Sequence, residues 1–148
     1  MNSNMHPIEI LLVEDNEDDI ILTREAFQEN KLANTLSIVK TGADALKFLL
    51  REPPFADAAK PDIILLDLNL PEVSGIEVLQ RIKNEDELKD IPVAILTTSK
   101  LEQDIVKSYK LHANCYINKP VNLDSFFDVI KVFGEFWFSI VTLPERLS

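Results

Sequence analysis

The sequence predicts one doubly wound α/β domain built on a parallel sheet. Three observations predict it. Short aliphatic strands alternate with amphipathic helical segments five times between Ile8 and the C-terminal region; such alternation implies right-handed crossovers and parallel strands. The third strand segment, IILL at Ile63 to Leu66, is apolar at every position, as in strands covered on both faces. The length, 148 residues, suits a single domain able to bury a core without disulfides or structural metal.

Taken in order, IEILLV (Ile8 to Val13) is a short aliphatic strand. The segment after it, EDNEDDIILTREAFQEN, has helical periodicity, with Ile20, Thr23 and Phe27, joined by Ile21 and Arg24, forming its stripe. Asp15 or Asn16 caps its N-terminus. TLSIVK (Thr35 to Lys40) alternates as a strand. TGADALKFLLRE reads as a helix with Ala45, Leu46, Leu49 and Leu50 inward, and Lys40-Thr41-Gly42 before it as an ordinary turn. PPFADAAKP is a proline-bounded loop. After Ile63 to Leu66, SGIEVLQRIKNEDELKD holds a helix with Ile76, Leu79 and Ile82 on one side, and its tail NEDELKD is a solvated end. IPVAILTTS is a strand from after Pro92, LEQDIVKSYKLHA a helix, and NCYINKP a short strand. VNLDSFFDVIKVFGEFWFSI is a long helix capped by Asn122. The domain is expected to span 1–148, with a core over about 8–138 and a short extension over 139–148.

Composition excludes several classes. Cys115 is the only cysteine, so there is neither an intramolecular disulfide nor a cysteine-rich zinc site, and it reads as a small core residue. No apolar run reaches membrane-span length, and MNSNMHPIEI lacks the parts of a signal peptide, so a cytoplasmic location is expected and no membrane partner. A formal charge of −10 argues against direct nucleic-acid binding. It is compatible with a cation site or a basic partner. His6 and His112 have no metal-ligand companions at suitable spacing.

The chemistry-bearing residues fall at strand ends. Glu14 and Asp15 follow the first strand, Asp67 the third; Thr97 ends the fourth and Lys119 the fifth. In an open parallel sheet all carboxyl ends meet at one edge, where ligands bind near the topological switch point. An unpaired buried carboxylate is costly, so Asp67 is expected at the strand's exit, in a crevice. Three carboxylates together need counter-charge. A hard divalent cation supplies it, Mg²⁺ preferring carboxylates, water and phosphate, and the Lys119 ammonium adds more. Such a site stabilises an incoming phosphoryl group, with Thr97 hydrogen-bonding it and Asp67 as the best nucleophile. Each element alone has a duller reading: EDN as a helix cap, DLNLP as a strand exit, TTS as exposed hydroxyls, Lys119-Pro120 as a strand terminator. Their joint occurrence on successive strand ends favours chemistry.

LLVEDN, LLDLNLPEVSG, ILTTS and YINKP, in this order, resemble the motifs of response-regulator receiver domains of the CheY-like kind, over about Ile8 to Trp137. The resemblance implies a flavodoxin-like fold with strand order 2-1-3-4-5. It implies that Asp67 is the phosphoacceptor for a histidine kinase, and that Glu14, Asp15, Asp67 and the backbone carbonyl of Asn69 hold Mg²⁺, Asp15 more directly than Glu14. It makes Thr97 and Lys119 the phosphate-sensing residues and Tyr116 the switch aromatic, and the Lys119-Pro120 peptide cis. Such a protein is a phosphoacceptor rather than an enzyme proper, able to assist its own phosphorylation and dephosphorylation. Thr98 is bulkier than is usual at its position, which bears on access to the phosphate. LHANCYI (Leu111 to Ile117) and FGEFWFSIVTLP (Phe133 to Pro144) are similar to the single-domain regulators of cyanobacterial and bacterial phytochromes, which makes the expected partner a red-light-sensing histidine kinase.

Only about ten residues follow the receiver-like segment, so output is expected through protein contact. In the last helix Leu123, Phe126, Phe127, Ile130 and Trp137 make one apolar stripe. Val129, Val132, Phe133, Phe136, Phe138 and Ile140 exceed it, and a helix apolar around most of its circumference is covered on more than one side. A homodimer face is favoured over a tail folded back. The competing functional class is a Mg²⁺-dependent phosphatase or phosphotransferase like the haloacid dehalogenases. Those place the nucleophile on the first strand with a second aspartate two residues on, whereas here it follows the third and Asn69 takes the later position. A pseudo-receiver that takes no phosphate is disfavoured by intact Asp67, Thr97 and Lys119.

Overall fold

A computed structural model describes residues 7–28, 34–108, 115–119, 121 and 124. Its elements are β1 (Ile8–Val13), α1 (Glu17–Gln28), β2 (Asn34–Val39), α2 (Gly42–Leu49), β3 (Ile63–Asp67), α3 (Gly75–Asn84), β4 (Val93–Thr97), α4 (Lys100–Ser108) and β5 (Cys115–Asn118). The strands form one sheet in the order β2-β1-β3-β4-β5, every pairing parallel. The doubly wound class and the 2-1-3-4-5 order are thus borne out.

The alternation of side chains along β1 builds both layers at once. Ile8, Ile10 and Leu12 join Ile20 and Phe27 of α1 in one core. Leu11 and Val13 face the other way, toward Ala45 and Leu49 of α2 and Val78, Leu79 and Ile82 of α3. β3 and β4 are buried at every position, which is why their sequences are continuous apolar runs rather than alternating ones.

Several local readings change. The N-cap of α1 is Asn16, whose Oδ1 accepts the Asp19 amide at 2.9 Å; Asp15 is thereby left free of capping. Ile21 lies on the outer face of α1, 46% exposed, because a step of one residue turns a helix by about 100°. Thr41 is the N-cap of α2, accepting the Asp44 amide, rather than part of a plain turn. Ser74 and Glu77 form a capping box at the start of α3. Leu88, within the segment expected to be solvated, is buried in the core; one apolar residue in a charged run gives no periodic signal.

Gly75 fixes the path of the chain after β3. A Cβ there would stand 2.4 Å from the Asp67 carbonyl oxygen and 2.5 Å from the Leu68 Cα. The Gly75 amide donates to the Leu68 carbonyl at 3.1 Å. Only glycine permits α3 to begin this close to the strand that carries Asp67.

The cis bond among the described residues is Pro53–Pro54. The Lys119-Pro120 peptide, the long last helix with its cap Asn122, the face formed by Val129, Val132, Phe133, Phe136, Phe138 and Ile140, and residues His6, His112 and Trp137 lie outside the described residues. Among those described, no helix is long and apolar enough to cross a membrane.

Candidate functional site

The chain leaves β1, forms β2 on one side of it, and returns as β3 on the other. The carboxyl ends of β1 and β3 therefore flank the switch point of the sheet, where a crevice opens between diverging connections. Glu14 and Asp15 come directly off β1, and Asp67 closes β3. Carboxylate oxygens of Glu14, Asp15 and Asp67 all lie within 4.8 Å of one another. The three predicted acids are one cluster.

Burial differs sharply within it. Glu14 is 1% exposed and Asp67 2%, while Asp15 is exposed. Asp67 is more enclosed than its expected place at the strand's exit, because Lys119 compensates it. The Lys119 ammonium lies 3.2 Å from Asp67 Oδ2, 3.1 Å from Glu14 Oε1 and 3.1 Å from Asp19 Oδ2. Burial draws the Lys119 ammonium downward in pKa, but the charges of Asp67 and Glu14 and the hydrogen bonds it donates to Glu14 and Asp19 outweigh it and hold the group above its ordinary range. The amine is a firmly charged counter-ion.

Backbone amides complete the cradle. Asn69 N–H donates to Asp67 Oδ1 at 3.2 Å, and Asn16 N–H to Glu14 Oε2 at 3.2 Å. The other Glu14 oxygen, Oε1, is buried and has the Lys119 ammonium at 3.1 Å as its charged neighbour, without a well-aligned hydrogen bond among the described residues. A buried carboxylate oxygen without an aligned donor is costly. It fits a site that takes a cation or cation-bound water.

Burial, then the hydrogen bond and charge of Asp67, push the Glu14 carboxyl up from 4.5 to about 7. A folded carboxyl that holds its proton more tightly than the unfolded one favours folding fully below pH 4.5, and that contribution is lost as pH rises toward about 7. The same proton competes with a cation. Divalent-ion affinity is therefore expected to fall by up to about tenfold per pH unit below about 7 and to level off above it, as read by calorimetric Mg²⁺ titration at stepped pH.

Thr97 is fully buried at the end of β4. Its hydroxyl reaches Asn118 Oδ1 only at 3.5 Å, a long bond that leaves it able to turn to another acceptor. Tyr116 is half-buried, paired with Ile95 in the sheet and packed with the core on the α2–α3 side. Lys107 of α4 lies 5.7 Å from its ring centroid, a cation–π contact. Tyr116 thus sits against α4 rather than among the acids. Burial pushes the Cys115 thiol up to about 11, in keeping with a packing role.

Two participants were not singled out from the sequence. Asp19 was legible only as one acid among several in EDNEDD, yet as the third residue of α1 it stands 3.1 Å from the Lys119 ammonium. Glu102, in the first turn of α4, accepts the Thr98 amide at 3.0 Å on Oε1 and Asn69 Nδ2 at 2.8 Å on Oε2. No spacing rule links residues 69 and 102.

Comparison with known proteins agrees with this geometry. The family model of the response regulator receiver domain matches residues 10–131. The chain belongs to that family. Among curated relatives of this receiver, the response regulator Rcp1 of Synechocystis sp. is 43% identical over 138 residues, covering 93% of this chain and 94% of Rcp1. Rcp1 has been solved in its Mn²⁺-bound form (TM-score 0.72, 93% of this chain and 99% of that one). The bacteriophytochrome response regulator RtBRR is 44% identical with a TM-score of 0.82, covering 95% of this chain and 84% of its own. The phosphorylated cyanobacterial phytochrome response regulator RcpA is 46% identical with a TM-score of 0.73, covering 95% and 100%. The receiver is thus similar to phytochrome-associated regulators. The haloacid-dehalogenase-like alternative finds no support.

Proposed function

We propose that this receiver is a stand-alone phosphorylation switch in which Asp67 accepts a phosphoryl group from a phytochrome-type sensor histidine kinase in the cytoplasm. The observation that carries the reading is the buried Asp67 carboxylate beside Glu14, Asp15 and Lys119 at the switch point of the sheet. Similarity to Rcp1 over nearly its whole length supports the stand-alone form, and similarity to RtBRR and RcpA supports the light-sensing partner.

In the transfer, a carboxylate oxygen of Asp67 bonds to phosphorus as the P–N bond of a phosphohistidine breaks. The imidazole nitrogen keeps the electron pair and is protonated. The Lys119 ammonium, already 3.2 Å from Asp67 Oδ2, offsets charge on the transferring group. Thr97 turns its hydroxyl from Asn118 to a phosphoryl oxygen, and Tyr116 follows by repacking against α4. Asp15, Asp67 and the Asn69 carbonyl would hold Mg²⁺, and Glu14 would assist from beside them. When bound, that ion supplies Lewis-acid charge neutralisation. The donor set, three clustered carboxylates offering only oxygen, fits a hard ion. The same site, with water replacing the histidine, accounts for self-catalysed loss of phosphate. Output passes through protein contact, and pairing of two copies through Val129, Val132, Phe133, Phe136, Phe138 and Ile140 is part of the proposal, checked by light scattering on a sizing column.

Incubation with Mg²⁺ and acetyl phosphate is expected to add the mass of one phosphoryl group, and chelation to prevent it. Absence of any gain with metal present would defeat the reading.

A further inference from the structure

Glu102 does something no cap requires. It is the third residue of α4, and its own amide donates to Ser99 Oγ at 3.3 Å, so Ser99 already serves as the capping side chain. In a capping box the acid at this position reaches back to the N-cap amide. Here the carboxylate passes over it to the Thr98 amide and extends its second oxygen to Asn69 Nδ2. It therefore joins the loop after β3 to the loop after β4. Asn69 is the residue whose backbone N–H holds Asp67 Oδ1, and Thr98 directly follows Thr97. Only one residue, Asn69, stands between the Glu102 and Asp67 carboxylates in this chain of hydrogen bonds.

Charge opposes this bridge once Asp67 is modified. Phosphorylation turns the Asp67 carboxylate into an acyl phosphate of close to two negative charges, a net gain of about one, and brings several acceptor oxygens to this edge. Glu102 is negative, only half-buried, and bonded to two neutral donors, the Thr98 amide and Asn69 Nδ2. Like charges close together repel appreciably near a low-dielectric surface, and Asn69, whose side chain Glu102 holds, is the residue whose backbone N–H bonds Asp67. The clasp and the phosphoryl group are thus opposed in charge. Its release frees the first turn of α4, the helix that also carries the exposed Leu101 and Ile105 and covers Tyr116 with Lys107.

We propose that Glu102 is a positioning residue that clasps Asn69 to Thr98 across the mouth of the site, slows phosphoryl addition to Asp67, and is expelled by it, unlocking the first turn of α4. This rests on Asp67 as the phosphoacceptor, and two readouts keep the two ideas apart. The first is independent of phosphate. Hydrogen exchange of the Thr98 amide, followed by NMR in the unmodified protein, is expected to speed up by about tenfold or more in Glu102→Ala and far less in Glu102→Gln, which keeps an acceptor oxygen but loses the charge. Unchanged Thr98 exchange in Glu102→Ala overturns the clasp whatever the phosphorylation chemistry.

The second is the rate of mass gain with Mg²⁺ and acetyl phosphate, in which Asp67 forms its bond to phosphorus and acetate leaves with the electron pair. Glu102→Ala is expected to react about three- to tenfold faster than the natural protein, and Glu102→Gln also faster, with the advantage of both shrinking as salt screens the charge. A purely structural role moves neither the glutamine variant nor the salt dependence. Equal rates in all three proteins overturn the proposal while leaving Asp67 as acceptor. No gain in any of them overturns it together with the reading of Asp67.

Discussion

Asp67→Asn is expected to take up no phosphoryl mass from acetyl phosphate under conditions that fully modify the natural protein. The amide oxygen is a poor nucleophile, and among the described carboxylates only Glu14 matches Asp67 in burial and in closeness to the Lys119 ammonium. Glu14 is equally buried, but its carboxyl holds a proton up to about pH 7, which blunts it as a competitor. The substitution also tests the electrostatics. Asp67 contributes both a hydrogen bond and a charge to the elevation of Glu14, after burial itself. Its replacement should therefore lower the Glu14 titration part of the way toward the ordinary carboxylate range, visible by NMR of that side chain. A mass gain on Asp67→Asn equal to that of the natural protein would place the chemistry on another residue.

The second large effect is on stability. Lys119→Met removes the ammonium shared by Glu14, Asp19 and Asp67. Two of these carboxylates are almost wholly enclosed. Leaving a buried charge without its partner costs about 3–5 kcal/mol, and each kcal/mol lowers the unfolding midpoint of a domain of this size by roughly 2–4 °C. Proton uptake by Glu14 relieves part of the cost. The loss should consequently be greater above pH 7, where Glu14 is ionised in the natural protein, than near pH 5. Added Mg²⁺ should recover part of it by supplying the missing positive charge. Thermal unfolding with and without metal at the two pH values checks this; an unchanged midpoint above pH 7 would mean that the cluster does not depend on Lys119.

How much of this could be read in the chain depends on the reach of the interaction. The strands were legible because burial on both faces leaves an unbroken apolar run, as at Ile63 to Leu66. The site was legible because a parallel sheet brings all carboxyl ends to one edge, so Glu14, Asp15, Asp67, Thr97 and Lys119 could be gathered without coordinates. Whatever depends on the direction of a side chain was not. Asp19 reaches Lys119 only because α1 begins at Glu17, four positions after the end of β1, and is capped by Asn16. Glu102 meets Asn69 only because α4 starts beside the β3 loop. The enclosure of Asp67 ran against the cost of a buried carboxylate, and the balance changes once three acids share one lysine. Gly75 lies within a motif, but its necessity, a Cβ 2.4 Å from the Asp67 carbonyl, is a fact of three dimensions.

The most direct trial is a crystal of this protein soaked in Mn²⁺, read by anomalous scattering at the metal's absorption edge. One strong peak bonded to Asp15, Asp67 and the Asn69 carbonyl, with Glu14 close by, is the predicted outcome. A map with no peak there, and with Glu14, Asp15 and Asp67 turned toward separate parts of the surface, would contradict the account at its root.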